Sequence, residues 1–421
     1  MRPSILPLRS LLAASSLLLL AALISCGDGK PSRKDRHHDD RASADATEAP
    51  SQSDPTDDGK KDKHKHDKDK KDDATAASDA ASSTPANTDD DKKDKKDKKS
   101  DKRTHDHTLQ PTEVQWLLTM HGEEGKPQGV WGLTGEGELK GPVNAPLPDG
   151  PAGPVPHNLR GLTPLPGGGF LVMNAFSKDT RILHFGAKGA DGQYPFVGNF
   201  VQLGPKNPAM VHAYQMAVSA EGQIYVSNQD TNTVTRYIGL GQPNAGEPLS
   251  PPPALTHLAD LAPGVVVPNA KSSPEGVAEV RGIAFGPDGQ LYVCDRTGSR
   301  VSVYDITTGR RTKIVADAQN GLVHPIQVAF ATDGMSMYIG DNGCDSIFKV
   351  TLATGAVETF VKKGEGGLKA PSALVIKGDW LYVGSREGKQ ILRYKLKDGK
   401  ADDKPFANLP DNPEFLLHLG D

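Results

Sequence analysis

Aromatic residues are absent from the first part of the chain. No Phe, Trp or Tyr precedes Trp116, although the 421 residues include 11 Phe, 3 Trp and 9 Tyr. Because aromatic side chains supply much of the area that a core buries, the folded domain is predicted in about the last three quarters of the chain. The segment before it requires another explanation.

The common short catalytic motifs are also missing. The sequence has no Gly-x-Ser-x-Gly, no Gly-rich phosphate loop followed by Lys, no Cys-x-x-Cys and no His-Glu-x-x-His. No motif in the sequence therefore predicts a serine-hydrolase nucleophile elbow, a nucleotide-binding P-loop, a redox dithiol or a zincin metal site. With a formal net charge of −4, the chain also lacks the basic excess of a nucleic-acid-binding protein, and no nucleic-acid partner is predicted.

Cysteine is scarce, and the first of the three cysteines follows a processing signal. Arg2 and Arg9 precede an apolar run over 11–23, which is too short to span a bilayer and ends in "LISC" at Cys26. This ending resembles the bacterial lipobox, which implies a signal peptide over 1–25 and a lipid (palmitate and related acyl chains) on Cys26. By resemblance to the enterobacterial sorting rule, Gly27 rather than Asp after the Cys implies a lipid-anchored place at the outer membrane of the cell envelope, on its periplasmic or surface face. An ordinary secretory peptide with a chance Cys remains the alternative.

Residues 26–110 are of low complexity and carry "GKKDKHKHDKDKKDD". Acidic and basic residues are nearly balanced here and almost nothing apolar is present, so the segment cannot offset the entropy of ordering. We predict a disordered tether. Its histidines either bind Zn or Ni loosely or are incidental to a solvated spacer.

The remaining cysteines are Cys294 and Cys344. A secreted compartment permits a disulfide between them, but they fall at different points of consecutive repeat units. Two buried free thiols are the alternative, which we favour.

Residues 111–421 repeat a four-stranded unit. In "RGIAFGPDGQLYVCDRTGSRVSVYD" (281–305) three strand patterns are separated by turns, and five units of this kind recur. A weaker fourth strand closes each unit, and the five are predicted as "GNFVQLG", "LTHLADL", "RTKIVAD", "AVETFVK" and "KPFANLP". A sixth unit forms if "PEFLLHLG" at the C-terminus pairs with "VQWLLTM" (114–120). The fold class is therefore all-β, a six-bladed β-propeller closed by its N- and C-terminal strands.

The units resemble NHL repeats, most closely in "GIAFGPDGQLYVCDRTGSRVSVYD". The resemblance extends to the wider gluconolactonase–regucalcin group. It implies a ligand site at one mouth of the central channel, where the first strands begin. The gluconolactonase–regucalcin group carries carboxylate and amide ligands for a divalent metal at that mouth, whereas this chain offers mainly arginine and tyrosine.

Equivalent first-strand positions provide the candidate ligand-binding residues, which are Arg160, Tyr214, Arg281 and Glu414. Guanidinium groups bind carboxylates and phosphates bidentately, so this ring predicts an anion pocket. Alternatively, the arginines pair with Glu414 or nearby backbone and fill the channel.

Two residues earlier in the repeat, His212, Glu279 and His324 form a candidate metal site. Two His and one carboxylate can hold Zn in an open catalytic site, and Ca is the other cation considered. Alternatively, His324, which directly precedes Pro325, belongs to a structural turn at the entry to the strand. The polar residues that end the second strands (Asn174, Asn228, Asp295, Asp341 and Ser385) are predicted to hydrogen-bond the following turn.

Two functions remain open from the sequence. The favoured one is a binding module, anchored to a membrane through Cys26, for a protein, peptide or anionic glycan. The alternative is a metal-dependent hydrolase or lyase with its site at the propeller mouth.

Overall fold

The computed structural model describes residues 113–122, 128–147, 156 and 158–420. The predicted signal peptide, Cys26 and the tether lie outside these residues. The described part consists of strands, turns and three short 3-10 helices (Pro253–Leu255, Ala318–Asn320 and Glu365–Gly367), and none of its helices is long and apolar enough to cross a membrane.

The strands form six antiparallel four-stranded sheets, which are the blades of a propeller. Blade 1 is β4–β7, blade 2 is β8–β11, blade 3 is β12–β15, blade 4 is β16–β19 and blade 5 is β20–β23. Blade 6 has the order β24-β1-β2-β3. The strand bounds are β1 Val114–Met120, β2 Trp131–Thr134, β3 Leu139–Pro142, β4 Leu159–Pro164, β5 Phe170–Asn174, β6 Arg181–Phe185, β7 Phe196–Gln202, β8 Ala213–Val218, β9 Ile224–Asn228, β10 Thr233–Tyr237, β11 Val265–Val267, β12 Val280–Phe285, β13 Leu291–Asp295, β14 Arg300–Asp305, β15 Arg310–Ala316, β16 Pro325–Phe330, β17 Ser336–Asp341, β18 Ser346–Thr351, β19 Ala356–Val361, β20 Pro371–Lys377, β21 Trp380–Ser385, β22 Gln390–Lys395, β23 Ala407–Asn408 and β24 Pro413–His418.

Blade 6 confirms the predicted closure by the two ends of the domain. Strand β24 pairs with β1 over the register Trp116↔His418 to Thr119↔Phe415. Trp116 is buried and packs its ring 4.5 Å from that of Tyr382, which belongs to blade 5. The closing blade is therefore held both by a strand ladder and by aromatic packing on its neighbour.

The predicted fourth strand of blade 2 is wrong. "LTHLADL" (255–261) is not a strand; its first residue ends the 3-10 helix Pro253–Leu255, and the ladder position is taken by Val265–Val267. The backbone N–H groups of Leu255, Thr256 and Leu258 are used in local turns, whereas the three valines are all buried and suit a pleated sheet. The first, second and third strands of the units are as predicted.

The core lies between neighbouring blades and at the centre of the ring. Cys294 and Cys344 share the apolar cluster between blades 3 and 4, where both are buried thiols and no disulfide joins them. At the centre, Tyr214, Ile326 and Phe415 pack together and are almost fully buried. The channel is thus filled by apolar side chains below the mouth.

A β-bulge recurs where the first strand enters the channel. The register shifts between Leu159 and Leu162 in blade 1, and at the matching place in blades 2 to 5. A bulge re-aims the side chains of the residues it contains. The predicted ring residues Arg160, Tyr214 and Arg281 lie within these bulges.

Candidate functional site

The polar residues at the ends of the second strands fix the loops that form the mouth. Asp341 is buried and accepts backbone N–H groups from Val323, His324 and Gly343 at 2.7–2.9 Å. Asp295 does the same for Glu279 and Gly298. These residues hold the following turn, as predicted, and they also hold the segment that enters the blade from its neighbour.

Besides the predicted ring of first-strand residues, a second ring surrounds the mouth. It consists of the residue that directly follows the second strand of each blade. Each of these residues donates its backbone N–H to the carbonyl of the residue that enters the same blade. The six donor–acceptor pairs are His121–Asn412, Ala175–Asn158, Gln229–His212, Arg296–Glu279, Asn342–His324 and Arg386–Ala370. Six residues from six blades therefore occupy one equivalent position around the mouth.

One charged group is centred on Glu414, and we call it the Glu414 cluster. Oε1 of Glu414 lies 3.0 Å from His121 Nδ1, 3.0 Å from Arg386 Nε and 3.5 Å from Arg160 Nη1. The Glu414 side chain is only 4% exposed. Burial opposes ionisation, but Arg160, the His121 hydrogen bond and Arg386 together outweigh it and lower the pKa of Glu414 to about 2.

The second charged group, the Glu279 cluster, belongs to blade 3. Oε1 of Glu279 accepts from Arg281 Nη2 at 2.5 Å and from Arg296 Nη1 at 3.0 Å. Arg281 also donates to the carbonyl of Val280 at 2.9 Å. Burial lowers the pKa of Arg281, although Glu279 opposes that shift.

Tyr214 lies between the two clusters. Its ring centroid is 5.8 Å from Arg281 Cζ and 5.0 Å from the centroid of Phe415. Burial raises the pKa of Tyr214, Glu414 adds to that effect, and Arg281, Arg160 and Arg386 oppose it. The phenol is therefore neutral and forms part of the floor of the mouth rather than its rim.

The two clusters gather four arginines around two carboxylates. The arginines Arg160, Arg281, Arg296 and Arg386 face the carboxylates of Glu279 and Glu414. Partly desolvated guanidinium groups favour an anionic partner. Arg160 and Arg281 pair with carboxylates of the protein itself, and the anion pocket stays a prediction.

The three candidate metal ligands do not meet in a metal site. His212 Nδ1 lies 3.1 Å from Asp230 Oδ1, and Glu279 is engaged by two arginines. The pKa of His324 is lowered by burial and then by Arg296. Among the residues that the structure describes, no group of three His, Cys, Asp or Glu side chains could hold a metal ion. In this structure Arg281 and Arg296 occupy the Glu279 carboxylate, and the metal site stays a prediction.

His121, Arg296 and Arg386 were missed in the sequence. Arg296 and Arg386 each directly follow the polar residue that ends a second strand, in "CDRTG" and "GSREG". Comparison of the repeat units at the residue after the second strand would have revealed both arginines. His121 follows β1, whose blade is assembled from both ends of the domain, so its equivalence depends on the closure.

Comparison with solved structures agrees with the propeller. A chain in the crystal structure of a nidogen/laminin complex is similar at a TM-score of 0.50 and 14% identity, over 72% of this chain and 97% of that one. That likeness shows the fold alone. A putative 6-phosphogluconolactonase from Bacteroides fragilis has a TM-score of 0.47 and 16% identity, over 72% and 97% of the two chains. Virginiamycin B lyase from Staphylococcus aureus has a TM-score of 0.38 and 14% identity, over 61% and 73%. No protein-family model and no curated protein matches the chain.

Proposed function

We propose that the propeller is a binding module that holds an anionic ligand at the mouth formed by the Glu414 and Glu279 clusters. The observation that carries the proposal is the gathering of four arginines, with side chains 7–28% exposed, around two carboxylates at the mouth. Bidentate guanidinium groups in a partly buried place bind carboxylate or phosphate more strongly than exposed ones do. The filled channel supports binding at the mouth rather than passage through the ring.

Calorimetric titration of the full chain, purified in mild detergent, with succinate, citrate and inorganic phosphate tests this function. We expect at least one of these anions to bind, with an affinity that falls as NaCl is raised. Arg281→Gln should weaken binding by about 10-fold or more, the range for a charged hydrogen-bonding partner. Arg310→Gln is the matched control, because Arg310 is an exposed arginine on the outer strand of the same blade.

Two results would contradict the proposal. One is that none of the three anions binds at low salt. The other is that Arg281→Gln and Arg310→Gln bind with the same affinity as the unaltered chain.

The envelope location is part of the same proposal. The lipobox-like "LISC" and the polyampholyte segment after Cys26 support a lipid-anchored protein that presents an NHL-like propeller away from the membrane. The outer membrane is the proposed site, from Gly27. Metabolic labelling with an alkyne fatty acid should mark the chain, and Cys26→Ser should abolish both the label and membrane fractionation. Labelling that survives Cys26→Ser would refute the anchor.

The alternative function, a metal-dependent hydrolase or lyase, has less support. It would use His212, Glu279, His324 or Glu414, and both of the carboxylates are paired with arginines. Mass spectrometry of dialysed full chain after addition of Zn or Ca tests it. Metal bound at about one ion per chain and lost in His324→Ala would favour the enzyme, provided that the tether histidines are replaced in both samples.

A further inference from the structure

We infer that a cavity beside the outer strand of blade 2 binds a small primary ammonium ion, that is, a protonated amine with a compact apolar body. None of the residues that line this cavity belongs to the Glu414 or the Glu279 cluster. The site is therefore independent of the anion-binding function proposed above.

One wall of the cavity comes from an elongated connection. The third and fourth strands of blade 2 are joined by 238–264, whereas those of blade 3 are joined by 306–309. The long connection is held in place, because Leu255 is buried and Arg236 Nη2 donates to the carbonyl of Ser250 at 2.9 Å. Long connections without strands of their own are uncommon in compact domains, and ordered ones often serve a function.

The cavity has the size of a small-molecule site. Its volume is about 330 Å³, which is at the lower end of the range for ligand pockets. Its apolar walls come from Pro208, Leu261, Val265 and Pro268. These walls suit a compact apolar body rather than an extended polar chain.

Asp260 supplies the only charge among the residues that line the described cavity. Its carboxylate forms no ion pair or hydrogen bond with any residue that the structure describes. Its φ is 56°, in a region that few residues other than glycine occupy and that recurs at ligand sites. Calcium and magnesium require several oxygen ligands, so a single carboxylate fits an organic cation better than a metal ion.

The hydroxyl groups of the lining can only accept hydrogen bonds from a ligand. Thr231 donates its hydroxyl proton to the carbonyl of Ala209 at 2.8 Å. Thr233 Oγ1 lies 3.0 Å from Thr231 Oγ1 and is therefore the donor in that pair. Ser272 donates to Oδ1 of Asn269 at 3.1 Å. Because each hydroxyl has one proton, these three oxygens act towards a ligand as a carboxylate does, and the three N–H donors of an ammonium group complement them.

Saturation-transfer NMR titration of the full chain in mild detergent tests the site with cyclohexylamine at pH 7, with detergent alone as the blank. Cyclohexanol is the neutral comparison ligand. We expect the amine to bind about 3- to 10-fold tighter than the alcohol, between the range of an exposed ion pair and that of a charged hydrogen bond. Trimethylcyclohexylammonium keeps the charge but has no N–H to donate, and so it should bind more weakly than the amine.

Asp260→Asn is the decisive variant, because it removes the charge at constant size and Asn tolerates a positive φ as Asp does. It should reduce the affinity for cyclohexylamine by about 3- to 10-fold, to that for cyclohexanol. Asp403→Asn is the matched control, since Asp403 is an exposed acid in the corresponding connection of blade 5. The control should bind the amine as the unaltered chain does.

Three results would overturn the site. They are equal amine affinities of the unaltered chain and Asp260→Asn, an amine that binds no tighter than cyclohexanol or the trimethyl compound, and an equal loss of affinity in Asp403→Asn. Succinate binding should be the same in Asp260→Asn and in the unaltered chain. The anion-binding function is therefore judged by the succinate titration and the ammonium site by the amine titration, and either can fail alone.

Discussion

Glu414 connects three blades through one carboxylate oxygen. Glu414 lies on β24 in blade 6. It contacts His121, which follows β1 of the same blade, Arg386 from blade 5 and Arg160 from blade 1. A buried carboxylate with several partners stabilises a fold little compared with an apolar replacement, but removal of one partner leaves buried charges unpaired. The residue therefore matters more for the integrity of the ring than its single charge suggests.

Glu414→Gln should lower the free energy of unfolding by about 3–5 kcal/mol at pH 7, because Arg160 and Arg386 lose their buried carboxylate partner. The folded pKa of about 2 lies below the ordinary value of 4.5, so the stabilisation is present above pH 4.5 and is lost as the pH falls towards 2. Urea unfolding at pH 7, 5, 3 and 2 should show the unaltered protein approaching the variant at the acidic end.

Glu387→Gln is the control, because Glu387 is an exposed acid beside Arg386. It should change stability by about 0.5 kcal/mol or less, as surface substitutions usually do. A Glu414→Gln protein that is as stable as the control at pH 7 would show that the cluster does not hold the closing blade.

The two cysteines of the propeller should be unreactive in the folded state. Cys294 and Cys344 are buried, and burial raises the pKa of the Cys294 thiol, with Asp341 and Asp295 adding to the shift. The thiolate is the reactive form, so both inaccessibility and the raised pKa oppose alkylation. Mass-spectrometric mapping after iodoacetamide treatment should find both thiols unmodified in buffer and modified in urea. Modification in buffer at the rate seen in urea would contradict this packing.

Among the elements, the junction between one blade and the next depends on the acidic residue at the end of the second strand. Asp341 accepts from N–H groups on both the loop that enters blade 4 and the turn that follows β17. Asp341→Asn places an NH₂ group against these donors. We expect the free energy of unfolding to fall by about 3 kcal/mol or more, since hydrogen bonds to a charged acceptor contribute about 1.5–3 kcal/mol each. Urea unfolding at pH 7 measures it.

Asp333→Asn is matched to this change at the opposite end of the same hairpin. Asp333 is exposed and accepts one backbone N–H, that of Met335 at 2.8 Å. Asp333→Asn should lower the free energy of unfolding by about 1 kcal/mol or less. Equal losses for Asp333→Asn and Asp341→Asn would mean that the buried acceptor does not anchor the junction.

The strands were predictable from the sequence to different extents. The inner three of each blade are short runs rich in apolar and β-branched residues between Gly-containing turns, which identifies them without a structure. The outer strand of blade 2 was not predictable in this way, because Leu255 and Leu258 suggested a strand where the backbone forms a 3-10 helix and turns. Part of the charged mouth was hidden for a different reason. Arg160, Arg281, Glu414 and Arg386 follow the repeat, whereas His121 comes close to Glu414 because blade 6 joins the two ends of the domain.

At the scale of the whole molecule, the ring closes through one non-local ladder. Strand β24 pairs with β1 across almost the full length of the domain, and Leu419 donates its N–H to the carbonyl of Gln115 at 2.8 Å. Without β24, blade 6 would expose an edge and the buried face of Trp116. The end of β24 and the start of β1 are neighbours, so a short turn could join them directly.

Two rearranged chains should therefore behave differently. Deletion of 410–421 should prevent a cooperative fold, because the inner strand of blade 6 and Glu414 are lost together. A circular permutant with 410–421 placed immediately before residue 113, and ending at residue 409, retains every ladder and should unfold in one urea transition. Far-ultraviolet circular dichroism and limited proteolysis compare the two. A truncated chain as protease-resistant as the permutant would show that five blades suffice, and a permutant that fails to fold would show that the ends must pair last.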